Sequence, residues 1–239
     1  MKRQFQFPLY AAITFAALFM VACSNSESLT ERQNQVKCNG SCVQIETTFG
    51  TMVVELFDDT PQHRDNFLKL VDEGFYDSLL FHRVIQTFMV QGGDPNSRGA
   101  EPDQRLGMGG PGYTIEAEID ANHVHIKGAL SAARQGDKVN PERRSSGSQF
   151  YLVQGKTYSS EELTKFETNM QGKHPGFQYS DEQVEAYATL GGTPHLDLEY
   201  TVFGRVIDGI DIIDSIAAVK TGKGNRPVQD VVMNMEIIR

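Results

Sequence analysis

Arg83 and Gln91 stand in a run, Phe81-His82-Arg83-Val84-Ile85-Gln86-Thr87-Phe88-Met89-Val90-Gln91-Gly92-Gly93-Asp94, that otherwise reads as β-strand. A guanidinium is always charged and rigidly planar. A hydrogen bond that it donates inside an apolar cleft is stronger than one made in water. Two readings of the run stand side by side: an edge strand whose Arg and Gln face water, or one wall of an apolar cleft with a fixed cation inside it. The run alone does not decide between them. Other candidates for a reacting centre are weaker. Ser145-Ser146-Gly147-Ser148 lacks the G-x-S-x-G spacing of a hydrolase elbow, and no His is tied to it by spacing. Gly107-Met108-Gly109-Gly110-Pro111-Gly112 matches G-x-G-x-x-G, but Tyr113-Thr114-Ile115 after it reads as strand, where a dinucleotide site needs a helix. His123 and His125 have no third ligand nearby in sequence, so no metal site and no cofactor are expected.

The elements that must position Arg83 and Gln91 can be taken in order. Val43, Ile45 and Thr47 alternate with polar neighbours, Phe49-Gly50-Thr51 turns, and residues 52–57 return as a second strand, which together read as a hairpin. Thr60-Pro61 predicts a helix start with a hydroxyl cap. Phe67, Leu68, Leu70 and Val71 share a helical face, and Gly74 stops the helix. Residues 96–112 form a loop, and Glu116, Glu118 and Asp120 read as a solvated face. Residues 128–134 form a strand of small side chains, which lets another group approach the backbone closely. A loop over 135–147 and a strand at 149–153 follow. Residues 156–192 have helical composition and look like an insertion between two strands. The strand 200–206, a helical face of Ile210, Ile213, Ile216 and Ala217, and a last strand over 231–238 complete the chain. Many short strands with two covering helices imply an antiparallel closed sheet.

The 239 residues carry a formal charge of −9, which argues against nucleic acid as the partner, because phosphate binding needs clustered Lys and Arg. Lys2 and Arg3 precede a nearly unbroken apolar run over 7–22, short of the ~20 residues of a membrane span and typical of a secretory signal. Its end, Met20-Val21-Ala22-Cys23, resembles a bacterial lipobox. Residues 1–22 are then a leader, Cys23 is acylated, and 23–42 is a polar tether ahead of one domain over 43–239. Ser24 after the acylated Cys favours the outer membrane. Cys38 and Cys42 are an even pair in an exported chain. A local disulfide and an unbonded pair both remain open.

Three of these segments, in this order, resemble the cyclophilin family of peptidyl-prolyl cis-trans isomerases: the run from Phe81 to Asp94, then Gly147-Ser148-Gln149-Phe150-Tyr151, then His195-Leu196-Asp197 with Tyr200-Thr201-Val202-Phe203-Gly204. The resemblance covers residues 43–239 apart from the insertion. It implies an eight-stranded antiparallel β-barrel capped by two helices, with a groove on its outer face. It implies Arg83 as the catalytic cation and Gln91 as the amide that holds it. Phe88, Met89, Tyr151 and Leu196 form the pocket for proline, Ala133 and Arg134 pair with the peptide backbone, and Gln149, His195 and Tyr200 line the groove. The expected activity is isomerisation of X-Pro bonds, with proline-containing polypeptides as partners, in a monomer that helps proteins fold in the cell envelope. The alternative is a proline-peptide-binding module or chaperone without catalysis. Tyr151 stands where many members have Phe, which adds a hydroxyl at the pocket edge. Arg134 stands where Asn is frequent, and its charge is expected to favour acidic substrates. His195 replaces a Trp of the members that bind cyclosporin tightly, and Tyr200 replaces a groove His; both changes imply weak inhibition. His82 is a structural strand residue by the same resemblance.

Overall fold

The computed structural model describes residues 38–238. The leader, Cys23 and the tether up to residue 37 lie outside the described residues. Cys38 and Cys42 are joined by a disulfide, S–S 1.99 Å and Cα–Cα 6.2 Å. The fold begins slightly earlier than residue 43. Strand β1 (Ser41–Thr47) already includes Cys42, which is fully buried and pairs with Glu55 on one side and Ile238 on the other. Its hairpin to β2 (Gly50–Leu56) turns through Thr48 and Phe49, since Gly50 is paired with Thr47. Among the described residues no helix is long and apolar enough to cross a membrane.

Nine strands form one antiparallel sheet in the order β3-β11-β1-β2-β10-β7-β9-β5-β4. Here β3 is Leu79–Leu80, β4 Arg83–Ile85, β5 Met89–Gly92, β7 Ala129–Ala132, β9 Phe150–Val153, β10 Val202–Asp208 and β11 Val232–Ile238. A separate pair joins β6 (Thr114–Ile115) to β8 (Ser145–Ser146). The closed eight-stranded barrel expected from the sequence is therefore corrected to a curled half-barrel of nine strands. Its end strands β3 and β4 do not pair, because one run of chain supplies both. Leu79 and Leu80 pair with β11, the Phe81 amide still donates to Val231, and Arg83 then changes partner to β5. Residues 81–82 thus carry the chain from one end of the sheet to the other.

The concave side holds the core. Val43 and Ile45, Met52 and Val54, Leu130 and Ala132, and Phe150 and Leu152 are buried there in pairs two residues apart, with Val90 and Phe203 beside them. Helix α1 (Pro61–Asp72) covers this core with Phe67, Leu70 and Val71, and helix α4 (Ile210–Ala217) does so with Ile213 and Ile216. Phe67 meets the rings of Tyr76, Phe203 and Phe150 at 5.1, 5.5 and 5.7 Å. Each such side chain contributes about 1.5–3 kcal/mol by leaving water. The start of α1 departs from expectation. The Thr60 hydroxyl donates to the Phe57 carbonyl and caps nothing. Glu118 caps the helix instead. Its Oε1 accepts the Gln62 amide at 3.0 Å, and its Oε2 accepts the His63 amide at 2.9 Å and the His63 ring at 2.6 Å. Burial raises the Glu118 pKa, but the bonds from His63 and the two amides outweigh this and hold it below the usual carboxylate range. Glu118 is thus not part of a solvated face.

The insertion folds into two short helices, α2 (Ser160–Gln171) and α3 (Asp181–Thr189), each opened by a capping box, Ser159 with Glu162 and Ser180 with Gln183. Leu163, Phe177, Tyr179 and Tyr187 gather with Val124 and Leu198 of the main body into a cluster of their own. The root of the insertion is tight: a Cβ on Gly192 would lie 2.3 Å from the His125 carbonyl oxygen and 2.6 Å from the Tyr187 ring.

Candidate active site

The groove residues share the convex face of the sheet, by strand periodicity. Arg83 on β4 pairs with Gln91 on β5, Gln91 with Tyr151 on β9, and Tyr151 with Ser131 on β7. These residues form one row. Val84, Val90 and Leu152, one residue further along each strand, turn into the core. Met89, Ala133, Tyr151 and Val202 make a second apolar cluster on the convex side, with Ile85, Phe88, Leu196 and Tyr200 packed on it. Both initial readings of the run hold in part. β4 is an edge strand, yet its Arg is turned back over the sheet into an apolar cleft.

A cavity of about 150 Å³ opens there. It is lined by Arg83, Phe88, Met89, Gln91, Ala133, Arg134, Tyr151, Leu196 and Tyr200. Gln149 lies outside it, lining a neighbouring cleft of about 680 Å³. A further cleft of about 820 Å³ extends on the His82 side. Gln91 borders all three. His195 is exposed and stacks on Phe88 with ring centres 5.5 Å apart, so it forms the outer rim.

Arg83 is half-buried and donates from Nη1 to Gln91 Oε1 at 2.9 Å. Among the described residues it forms no ion pair. Desolvation lowers its pKa from the ordinary arginine value, but a guanidinium stays charged. Its charge is thus available to a ligand. The Gln91 amide has its orientation set from behind. Its Nε2 donates to Gln149 Oε1 at 3.1 Å, and Gln149 Nε2 donates to the Gly109 carbonyl at 2.7 Å. The loop bearing Gly109 is held by the fully buried Asp94, whose carboxylate accepts the amides of Gly107, Met108 and Gly109. A Cβ on Gly109 would sit 2.1 Å from Asp94 Oδ1, so only glycine allows this approach. The glycine run, read as a failed nucleotide motif, proves to be the far end of an amide relay to Arg83. Sequence reasoning missed Asp94 in this role, although it closes the same run as Arg83.

Two expectations are corrected here. The Arg134 charge is already balanced: Nη1 bonds Asp137 at 2.6 Å, Nη2 lies 3.7 Å from Glu199, and the guanidinium stacks 4.5 Å over Tyr200. With 5 % of its side chain exposed, it offers acidic substrates no free cation. The Tyr151 hydroxyl is not at the pocket edge. It is directed to the buried His125, Nε2 at 3.0 Å. Backbone pairing divides between the two predicted residues. The Ala133 amide and carbonyl are used within the protein, by Gln149 and Ser146. Among the described residues the Arg134 amide and carbonyl make no backbone hydrogen bond.

The model of the family described as cyclophilin type peptidyl-prolyl cis-trans isomerase/CLD matches residues 42–237. A Staphylococcus aureus protein named as a peptidyl-prolyl cis-trans isomerase is 37 % identical over 195 residues, covering 80 % of this chain and 88 % of the relative. A Streptococcus pyogenes protein named as a bifunctional phosphatase/peptidyl-prolyl cis-trans isomerase is 39 % identical over 202 residues. That match covers 81 % of this chain but 38 % of the longer relative. The crystal structure of a Cryptosporidium parvum cyclophilin-type isomerase superposes with a TM-score of 0.57 at 26 % identity, covering 82 % of this chain and 96 % of that one. The same Cryptosporidium protein was also crystallised in the presence of the dipeptide Ala-Pro, and that structure matches at 25 % identity.

Proposed function

Because the chain belongs to the cyclophilin-type peptidyl-prolyl cis-trans isomerases, we propose that its convex groove binds proline-containing polypeptides and accelerates rotation about their X-Pro bonds. The observation that carries this reading is a guanidinium, Arg83, which forms no ion pair among the described residues and is held by Gln91 at a cavity lined by Phe88, Met89, Tyr151 and Leu196. Amide resonance sets a rotation barrier of about 18–20 kcal/mol, while the two X-Pro isomers differ by only ~0.5–1 kcal/mol. A catalyst therefore has to favour the twisted state, in which resonance is lost and the prolyl nitrogen gains a lone pair. Arg83 can donate to that nitrogen, or to the adjacent carbonyl, as the bond twists. Phe88, Met89, Tyr151 and Leu196 hold the ring still, and the open amide and carbonyl of Arg134 hold the chain on one side. The reaction then needs no nucleophile and no proton transfer.

The test is exchange spectroscopy on a proline peptide with wild type and Arg83→Ala. Losing one preorganised donor is expected to lower turnover by about two to three orders of magnitude. Near-normal turnover in the variant would overturn the role of Arg83. Peptide binding retained by a wild type that does not accelerate exchange would favour the binding-module alternative.

The place of action extends the proposal. The leader and Cys23 support a chain acylated at Cys23 and held at a cell-envelope membrane, where the domain acts on proteins folding outside the cytoplasm. Two or more acyl chains give stable anchoring, as each buried CH₂ contributes about 0.8 kcal/mol. Labelling with radioactive palmitate is expected in the wild type and lost in Cys23→Ser. Absence of label from the wild type would refute the anchor.

A further inference from the structure

Tyr151 lines the proline cavity with its ring, and its hydroxyl begins a buried chain of polar groups that leads away from it. Tyr151 Oη is 3.0 Å from His125 Nε2, and His125 Nδ1 is 2.8 Å from Asp197 Oδ1. Asp197 Oδ1 also accepts the His125 backbone amide at 2.7 Å. Its Oδ2 accepts the hydroxyls of Tyr179 at 2.8 Å and Tyr187 at 2.6 Å. The side chains of His125 and Asp197 have no exposed surface. A carboxylate only accepts, so Nδ1 carries a proton toward Asp197 and Nε2 faces the Tyr151 hydroxyl. The imidazole and the Tyr151 ring lie parallel within 10°, centres 6.0 Å apart, and the Tyr200 ring meets both edge-on.

Tyr179 and Tyr187, the two outermost donors, belong to the insertion. They are also two of the four buried residues that the insertion gives to its own cluster, with Leu163 and Phe177, so seating that cluster and saturating Asp197 are one event. We propose that the insertion is a positioning device for the groove: Tyr179 and Tyr187, through Asp197 and His125, hold the Tyr151 ring where it receives a proline. The proposal deepens the isomerase reading and rests on it. His125 is a positioning residue, since its side chain has no exposed surface and acts through Tyr151. The hydroxyl of Tyr151 is what connects the cavity to the insertion; Phe at that position would leave the connection open.

The test is a double-mutant cycle in the full chain. Affinity for a proline peptide and turnover of the bound peptide are measured separately by NMR. Tyr179→Phe with Tyr187→Phe is expected to weaken peptide affinity about fivefold, within the range of couplings between contacting groups, with turnover of bound peptide nearly unchanged. In a Tyr151→Phe background the same pair of changes should alter affinity less than twofold. Glu118→Ala, which destabilises helix α1 on the opposite side of the sheet, controls for general destabilisation and should leave affinity unchanged. If the double Tyr variant does not fold, Tyr179→Phe alone serves. An effect of equal size in the Tyr151→Phe background, or none in either, overturns the proposal. A wild type that neither binds nor isomerises proline peptides instead refutes the isomerase reading itself.

Discussion

A guanidinium beside an apolar cavity is useful only if it is both uncompensated and held still. Arg83 meets the first condition by forming no ion pair among the described residues, and Arg134, which lines the same cavity, does not. Gln91 supplies the second condition. Its own amide is fixed by Gln149 and the Asp94-bound loop, so four residues stand behind one donor. Gln91→Ala should leave Arg83 in the groove but free to swing. A hydrogen bond to a charged group is worth about 1.5–3 kcal/mol, so turnover should fall at least about tenfold in the exchange assay. Asp94→Ala, three hydrogen bonds further back, should lower turnover in the same direction, with Gln149→Ala adding little to it because both break one relay. At the rim, His195 and Tyr200, in place of the Trp and His of members that bind cyclosporin tightly, are expected to give only weak inhibition by cyclosporin, and nanomolar inhibition in a peptide assay would contradict it.

Helix α1 shows how an element is placed by a residue far away in sequence. Pro61 starts it, but the free amides of its first turn are met by Glu118, which also holds the His63 ring. Glu118→Ala should cost about 0.5–2 kcal/mol, the usual range for a lost cap, with the remaining buried His63 ring adding to it. Urea unfolding would show this as a lower midpoint at unchanged slope. Peptide turnover should be unaffected, since α1 lies on the concave side of the sheet and the groove on the convex side. The insertion is an element of a different sort. Its two helices have capping boxes and would start where they do in any context, but the hydroxyls of Tyr179, between the helices, and of Tyr187 are met by the distant Asp197.

On the scale of the molecule, acid should weaken the fold through its buried imidazoles. Burial pushes His82 down to about 4 from an ordinary 6.5, with Asp94 opposing the shift. His63 is lowered too, by burial against the pull of Glu118. A histidine with a depressed folded pKa takes up its proton more readily when unfolded. The stability it contributes is therefore complete above about pH 6.5 and is lost as pH falls from there toward 4. One such group costs about 1.4 kcal/mol per pH unit across that window. Urea midpoints taken between pH 7 and 5 should fall on that slope, and His82→Gln should flatten it. An unchanged slope in the variant would assign the acid sensitivity elsewhere.

The sequence by itself determined which residues stand together in the groove. Strand alternation carries Arg83, Met89, Gln91 and Tyr151 to one face and Val84, Val90 and Leu152 to the other, and three motifs in order supply the neighbours of that row. It likewise determined that residues 156–192 carry helices, because local composition and caps suffice for that. The tertiary structure alone decided what depends on contacts between distant positions. The sheet stays open because one short run changes partner at residues 81–82. Glu118 reaches back 56 residues to Gln62, which no local charge pattern reveals. Asp197 meets His125 across 72 residues and turns the Tyr151 hydroxyl inward, away from the pocket edge. Side-chain type and strand period are written in the chain, whereas the pairing of a buried donor with its acceptor is settled only when folding removes the water that would otherwise satisfy both.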